Sequence, residues 1–410
     1  MKSYNNFITE AAKTIPTTVE APKALGHLDH IEDRVLQAGD SGFNHAMNTL
    51  EGMHNSLSGN ASHVKLGTKY DGAPSLVFGR NPENGKFFVA TKSWQNATPK
   101  INYTPEDIDR NHGHAPGLAE KLKAALQHLP KVTPQNGIYQ GDVMYTRPDV
   151  QLKGNKYSFT PNTITYDTPV NSGEGKKIRN AQIGVAVHTG YEDDGSGTLA
   201  GHRPRFMPNL RRFGDHPDVH IISTEMKSDP SNYTDEDKAE FQKHMEAARE
   251  AYAQTDPEAH NTVGRHLEDA MAYINHEVRR NGTPNHGDFK RFVQDRAEKE
   301  IGKLKTPTNI ARKRDILNAR LDDIEKNKDH IGQVLKLHGH LQAAKNVLVR
   351  AANQPKNLAY GHSIGGKPTG PEGTVVVDPE RNIIDKAVDR GEFSAANFAK
   401  NQAGSFAAQK

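Results

Sequence analysis

The spacing of apolar positions changes character several times along the chain. Between residues 27 and 58, Leu28, Ile31, Val35, Leu36, Phe43, Met47 and Leu50 recur at helical spacing, with Gly39, Ser41 and Gly42 marking a break. From His63 the period shortens to that of strands: HVKLGTK (63–69), SLVFG (75–79) and GKFFVATKS (85–93), the last two flanking a turn at 81–85. An amphipathic helix is predicted over GLAEKLKAALQHL (117–129). Strands are predicted over GIYQGDVMY (137–145), KYSFT (156–160), TITYD (163–167) and the most apolar run, IGVAVHTGY (183–191). Near Met226 the texture becomes helical and stays so to about Gln354, through AEFQKHMEAAREAY, VGRHLEDAMAYINHEV and IGQVLKLHGHLQAAKNVLVRAA. Strand character returns with GTVVVD (373–378) and NIIDKAV (382–388), behind the Gly/Pro stretch IGGKPTGPEG. The pattern predicts an α+β fold in which a sheet-based domain (27–227, completed by 356–410) is interrupted by a helical insert (228–355). A polar segment, 1–26, precedes it and ends in the linker-like TIPTTVEAPK.

Composition narrows the chemistry. No run approaches the roughly 18 apolar residues of a membrane helix, and no membrane partner is expected. The absence of cysteine excludes disulfides, thiolate metal sites and cysteine nucleophiles. A net charge of +3 over 410 residues does not by itself mark a nucleic-acid binder. The charge is uneven, however: residues 279–356 hold 18 Lys and Arg against nine Asp and Glu. A basic helical insert is expected to contact polynucleotide. The His112/His114, His338/His340 and His27/His30 pairs lack an obvious third metal ligand. His188, inside an apolar strand, reads as a core or pocket-wall residue. SGEGKK (172–177) and IGGKPTGPEG do not match a phosphate-binding P-loop and read as loops beside the site.

Four short motifs carry the candidate chemistry. Lys69-Tyr70-Asp71-Gly72 ends one predicted strand, Tyr139-Gln140-Gly141-Asp142 lies in another, Glu372-Gly373 opens a third, and Ile383-Ile384-Asp385-Lys386 forms a fourth. Taken alone, a KxDG is an ordinary turn after a strand. In this order the set resembles the covalent nucleotidyltransferase superfamily, the ATP-dependent polynucleotide ligases and mRNA capping enzymes, over about residues 60–200 and 360–390. The resemblance implies a ligase-type adenylation domain of antiparallel sheets with flanking helices. It makes Lys69 the nucleophile that attacks the α-phosphorus of ATP, forming lysyl–AMP, with Lys386 facing the developing phosphate charge and Glu372 associated with Mg²⁺. Asp71, Gly72 and Lys92 would line the nucleotide site, Asp142 would bond the ribose, and Tyr139 or Tyr166 would stack on the base. The implied function is ATP-dependent ligation of DNA or RNA. The alternatives are a GTP-using capping-type enzyme and a non-catalytic nucleic-acid-binding head protein.

The chain departs from the family pattern in four places. Pro74 stands where ligases usually carry an arginine, a role left to Arg80 or Lys92. Asp142 replaces a glutamate, and Val388 a second lysine. Too few residues follow Lys386 for a C-terminal OB domain, so substrate clamping falls to the insert or to a partner. Excising 228–355 is expected to spare the covalent step and abolish sealing. MKSYNNFITEAA also resembles capsid-targeting peptides of internal head proteins in large contractile-tailed bacteriophages, with Ile8-Thr9-Glu10 before Ala11 as a processing site. That likeness implies capsid components and a head-maturation protease as partners, with a location in the host cytoplasm or the virion head.

Overall fold

The computed structural model of the chain describes residues 28–280 and 282–390. The expected N-terminal targeting peptide lies outside the described residues. A kinked helix, α1 (Arg34–Leu57), leads into strands β1 (Lys65–Lys69), β2 (Ser75–Arg80), β3 (Phe87–Ala90) and β4 (Ile101–Asn102). Helices α2 (Pro105–His112) and α3 (Pro116–His128) precede the long strand β5 (Ile138–Thr146). Then come β6 (Gln151–Lys153), β7 (Lys156–Phe159), β8 (Thr165–Pro169), the short helix α4 (Gly173–Ile178), β9 (Ile183–Asp193), β10 (His202–Phe206) and β11 (Val219–Ser223). Helices follow in succession: α5 (Asp235–Ala253), α6 (Pro257–Arg265), α7 (Leu267–Arg279), α8 (His286–Ile301), α9 (Pro307–Lys326) and α10 (Lys328–Ala352). The last described strands are β12 (Gly361–Ile364), β13 (Lys367–Pro368), β14 (Gly373–Asp378) and β15 (Ile383–Ala387).

These strands form three sheets, ordered β1-β14-β15, β10-β9-β5-β2-β3-β4 with β11 beside β9, and β13-β12-β8-β7-β6. Only the β9–β11 pair is parallel among the described strands. The architecture is therefore α+β with antiparallel sheets.

The three-stranded sheet positions everything that follows. Its strands come from opposite ends of the described chain, with Lys69 opposite Gly373 and Val375 opposite Lys386. Because side chains alternate along a strand, each strand presents two distinct faces. Leu66, Val376 and Ala387 join a core with Ile31, Val35 and Leu50 of the N-terminal helical region and with Phe241, Leu341 and Leu348 of α5 and α10. Fully burying each of the larger of these side chains contributes about 1.5–3 kcal/mol. Val375, Val377, Ile384 and Lys386 face the other way.

Gly39 explains the break in α1: its φ of +51° is a left-handed conformation that glycine adopts without steric cost. Two expected loops are ordered elements. Residues 173–178 form α4 because the Ser172 hydroxyl caps the Gly175 N–H at 2.9 Å. The stretch after Ile364 turns tightly through Gly365 and Gly366 (φ +57° and +81°) to make the β12–β13 hairpin. Helix α2 escapes periodicity because Ile108 is its one buried apolar side chain; a Thr104–Asp107 capping box starts it.

Candidate functional site

Two of the sheets face each other across a cleft of about 410 Å³. Lys69 ends β1, and its register partner Gly373 places the preceding Glu372 against it, so Lys69 Nζ and the Glu372 carboxylate form an ion pair. Lys386 enters from β15 on the same face. The seven-stranded sheet contributes Asp142 on β5 and its register partner Ser75 on β2. Gln140, two residues before Asp142 and so on the same face of β5, donates to the Ser75 hydroxyl at 3.0 Å and accepts from Tyr191 at 2.5 Å. Lys92, in the 3-10 turn after β3, reaches the rim. Gly72 brings the loop after β1 close to β5: a Cβ there would lie 2.5 Å from the Asp142 Cβ.

A β-bulge supplies one further group. Gln140 pairs with Thr189 but Gly141 pairs with Val187, so His188 is the extra residue on β9. Its imidazole lines the cleft, with Nε2 3.8 Å from Asp142 Oδ1 and Nδ1 2.8 Å from the Thr189 hydroxyl. The expectation of a pocket-wall histidine is met.

Charges in the cleft perturb one another. Burial raises the Glu372 pKa, Asp71 and Asp142 push it the same way, and Lys69 opposes them. Burial alone would raise Asp142 too. There the neighbouring His188, Ser75 and Lys69 outweigh it and hold the carboxyl below its ordinary range. Burial, then the charges of Lys69 and Arg390, lowers the Lys386 pKa. The cleft thus gathers cations and carboxylates in a setting of reduced solvation, where each charge is felt strongly by the next.

Of the residues expected at the site, Lys69, Gly72, Lys92, Asp142, Glu372 and Lys386 line this cleft, and three do not. The Asp71 carboxylate turns away to accept hydrogen bonds from Asn162 Nδ2 (2.7 Å), Thr163 N (2.7 Å) and Ile164 N (3.0 Å). It pins the 162–164 turn to the loop after β1. Tyr166 is fully buried among Tyr70, Phe159 and Tyr360, and its hydroxyl accepts from the Asp71 N–H at 2.7 Å. Tyr139 packs between Phe78 and Phe213 in the core behind β5. Neither tyrosine has a ring face open to the cleft. Arg80 also lies elsewhere, over the Phe87 ring, which leaves Lys92 as the nearby cation.

The periodicity of strands could have added Gln140, at i−2 from Asp142, to the expected set. Nothing local announces Leu28, Met207 or Thr224, which complete the apolar and backbone walls. Among the described residues no group of three or more His, Asp or Glu side chains is arranged to hold a metal ion, and no helix is long and apolar enough to cross a membrane.

No curated protein and no solved structure matches the chain significantly. A family does match, across residues 26–402, a span that includes every cleft residue named above. The chain belongs to the family of unknown function DUF6267.

Proposed function

We propose that the chain is a covalent nucleotidyltransferase that works as an ATP-dependent polynucleotide ligase, with Lys69 as nucleophile. One observation supports the reading: Lys69, Asp142 and Lys386, on three strands, and Glu372, immediately before a fourth, are distant in sequence yet line one cleft. The ligase-type fold is part of this proposal.

In the proposed step the Lys69 ammonium leaves its ion pair with Glu372 and gives one proton to solvent before attack and a second as the N–P bond forms. That bond, to the α-phosphorus, forms as the bond to the bridging oxygen breaks and pyrophosphate departs. Lys386, on the same face of the cleft as Lys69, meets the charge that gathers on the phosphate. Asp142 would hold the ribose, and the base would lie against Met207, Val375 and Ile384 with the His188 ring at its side.

Glu372 suits Mg²⁺ in the way that ion is usually held by proteins, through one or two carboxylates with the remaining positions left to substrate phosphates and water. Bound there, the ion would neutralise triphosphate charge. The acceptor would be polynucleotide, drawn by the exposed Lys299, Lys303, Lys305, Arg312, Lys313 and Arg314 of the helical segment.

Incubation with α-labelled ATP or GTP, followed by denaturing electrophoresis, tests the reading and names the nucleotide. Label should stay on the chain and vanish in both Lys69→Ala and Lys69→Arg, since a guanidinium remains protonated at any workable pH. A labelled adduct in Lys69→Ala would overturn the assignment. Absence of any adduct with the intact chain would overturn the reading as a whole.

A further inference from the structure

Behind the cleft, on the opposite face of β15, lies a buried ionic network. Asp385 precedes Lys386 and therefore points away from the cleft. Its carboxylate accepts from Arg34 Nε at 2.7 Å and from His45 Nε2 at 2.6 Å, and it is 1 % exposed. Arg34 also donates to the Asp29 carboxylate at 2.8 Å, while the Asp29 carbonyl accepts the Lys386 N–H at 2.9 Å. A parallel bridge from His30 covers the same edge of β15.

Two residues further on, the Val388 carbonyl accepts from Lys345 Nζ at 2.7 Å, and that same Nζ donates to Glu32 at 2.7 Å. Arg390 pairs with Asp33, which also accepts from His338 Nε2 at 2.9 Å. His338 and Lys345 belong to α10, and both are fully buried.

Such a network is a costly way to hold a strand. Removing charges from water costs several kcal/mol per ion, and apolar side chains of similar volume often hold a core equally well or better. What charged, directional bonds add is a fixed register and orientation. Here they anchor the residue before Lys386, the Lys386 amide itself, and the carbonyl two residues after it.

We infer that two buried ionic clusters, Asp385 with Arg34 and His45, and Lys345 with Glu32 and Arg390 bonded to the Val388 carbonyl, are positioning groups that set the Lys386 ammonium in the cleft, which makes α10 part of the site. What Lys386 does there rests on the nucleotidyltransferase reading; where it is held does not.

The test uses the full-length Asp385→Asn variant, which keeps the side-chain volume and removes the charge. One arm measures the modification rate of Lys386 by an amine-reactive reagent, read by peptide mass spectrometry against exposed lysines. The other measures nucleotide-adduct formation across nucleotide concentrations. Lys386 should be modified several-fold faster. The adduct rate at saturating nucleotide should fall by up to about 10²-fold, the penalty of a misplacement of about 1 Å, with little change in the half-saturating concentration.

A folded Asp385→Asn with wild-type Lys386 reactivity and adduct rate overturns the inference, because a purely structural role would alter unfolding alone. Should that variant fail to fold, the volume-matched pair Glu32→Leu with Lys345→Met replaces it, under the same expectation and the same refutation. If the intact chain forms no adduct, the nucleotide reading falls and the modification arm alone decides the positioning.

Discussion

Replacing Lys345 by methionine isolates what the buried network contributes. Lys345 and Glu32 are both 0 % exposed, and their contact is 2.7 Å. Burial alone would push the Glu32 carboxyl up; Lys345 first, and Arg390 next, hold it well below the usual carboxylate range. At an effective dielectric of about 20, a pair at that distance attracts by about 6 kcal/mol. Arg390 Nε lies 3.5 Å from the same oxygen, which on the same scale is about 5 kcal/mol. Lys345→Met therefore strips roughly half of the compensation from a carboxylate that burial already disfavours. Breaking such a pair typically costs about 3–5 kcal/mol, and the surviving Arg390 places the expected loss near the lower end, at about 3 kcal/mol. Adding Glu32→Leu should recover most of it, so a double-mutant cycle in urea should show coupling of at least about 2 kcal/mol. If Lys345→Met alone costs less than about 1 kcal/mol, the range of an ordinary exposed pair, the network is not holding ionised groups and the reasoning is wrong.

Other outcomes follow from the same geometry. Burial lowers the pKa of His30 to about 3 and of His362 to about 4. Above pH 6.5 neither the folded nor the unfolded chain protonates them. Below it only the unfolded chain binds the proton, so stability should fall by up to about 1.4 kcal/mol per pH unit for each, down to those values. Urea titrations at pH 7, 6 and 5 check this, and His362→Asn should flatten the slope. Charge reversal at Arg312, Lys313 and Arg314 should weaken polynucleotide binding and reduce its salt dependence by about one unit per lost phosphate contact, while an unchanged salt slope would remove this face from the interface. Mass spectrometry of virions, if the N-terminal likeness to capsid-targeting peptides holds, should find the chain beginning at Ala11; a virion-borne chain still starting at Met1 would dispose of the processing idea.

The sequence revealed what is local and concealed what depends on distant partners. Periodicity shows the strands on which Lys69, Glu372 and Lys386 sit or border, while singling those residues out depends on the motif resemblance. Asp71 belongs to the same motif as Lys69, but its carboxylate bonds residues 91 to 93 positions away, and no spacing rule foretells such a partner. Tyr139 and Tyr166 lie in strands that periodicity predicts, but neither presents its ring to the cleft, contrary to the expectation that one would stack on the base. Which face each would turn to the cleft depends on how three sheets stack. His188 reaches Asp142 only because a bulge interrupts the β5–β9 register. Lys345 misleads most: inside a basic helical run it reads as a solvated charge, yet it is among the most deeply buried side chains.

That last point changes what excision of 228–355 should do. Joining β11 to β12 through some 140 residues instead of about 10 adds close to four doublings of loop length, or roughly 2 kcal/mol of closure entropy. The helices offset that cost by burial. Leu341 and Leu348 are 0 % exposed and pack in the core that holds Ile31, Val35 and the inner face of β14 and β15. At about 1.5–3 kcal/mol per side chain, those two residues already outweigh the entropy. Excision would expose Ile31, Val35, Leu50, Val376 and Ala387 together, and it would leave Glu32 and Asp33 without Lys345 and His338. The expected result is loss of the cooperative fold, and with it the nucleotide adduct, rather than the selective loss of sealing that the sequence pattern suggests. Circular dichroism and urea unfolding of the excised chain, run beside the labelling assay, check the point. A cooperatively folded excision variant that still forms the adduct would show that the sheets hold Lys386 without α10.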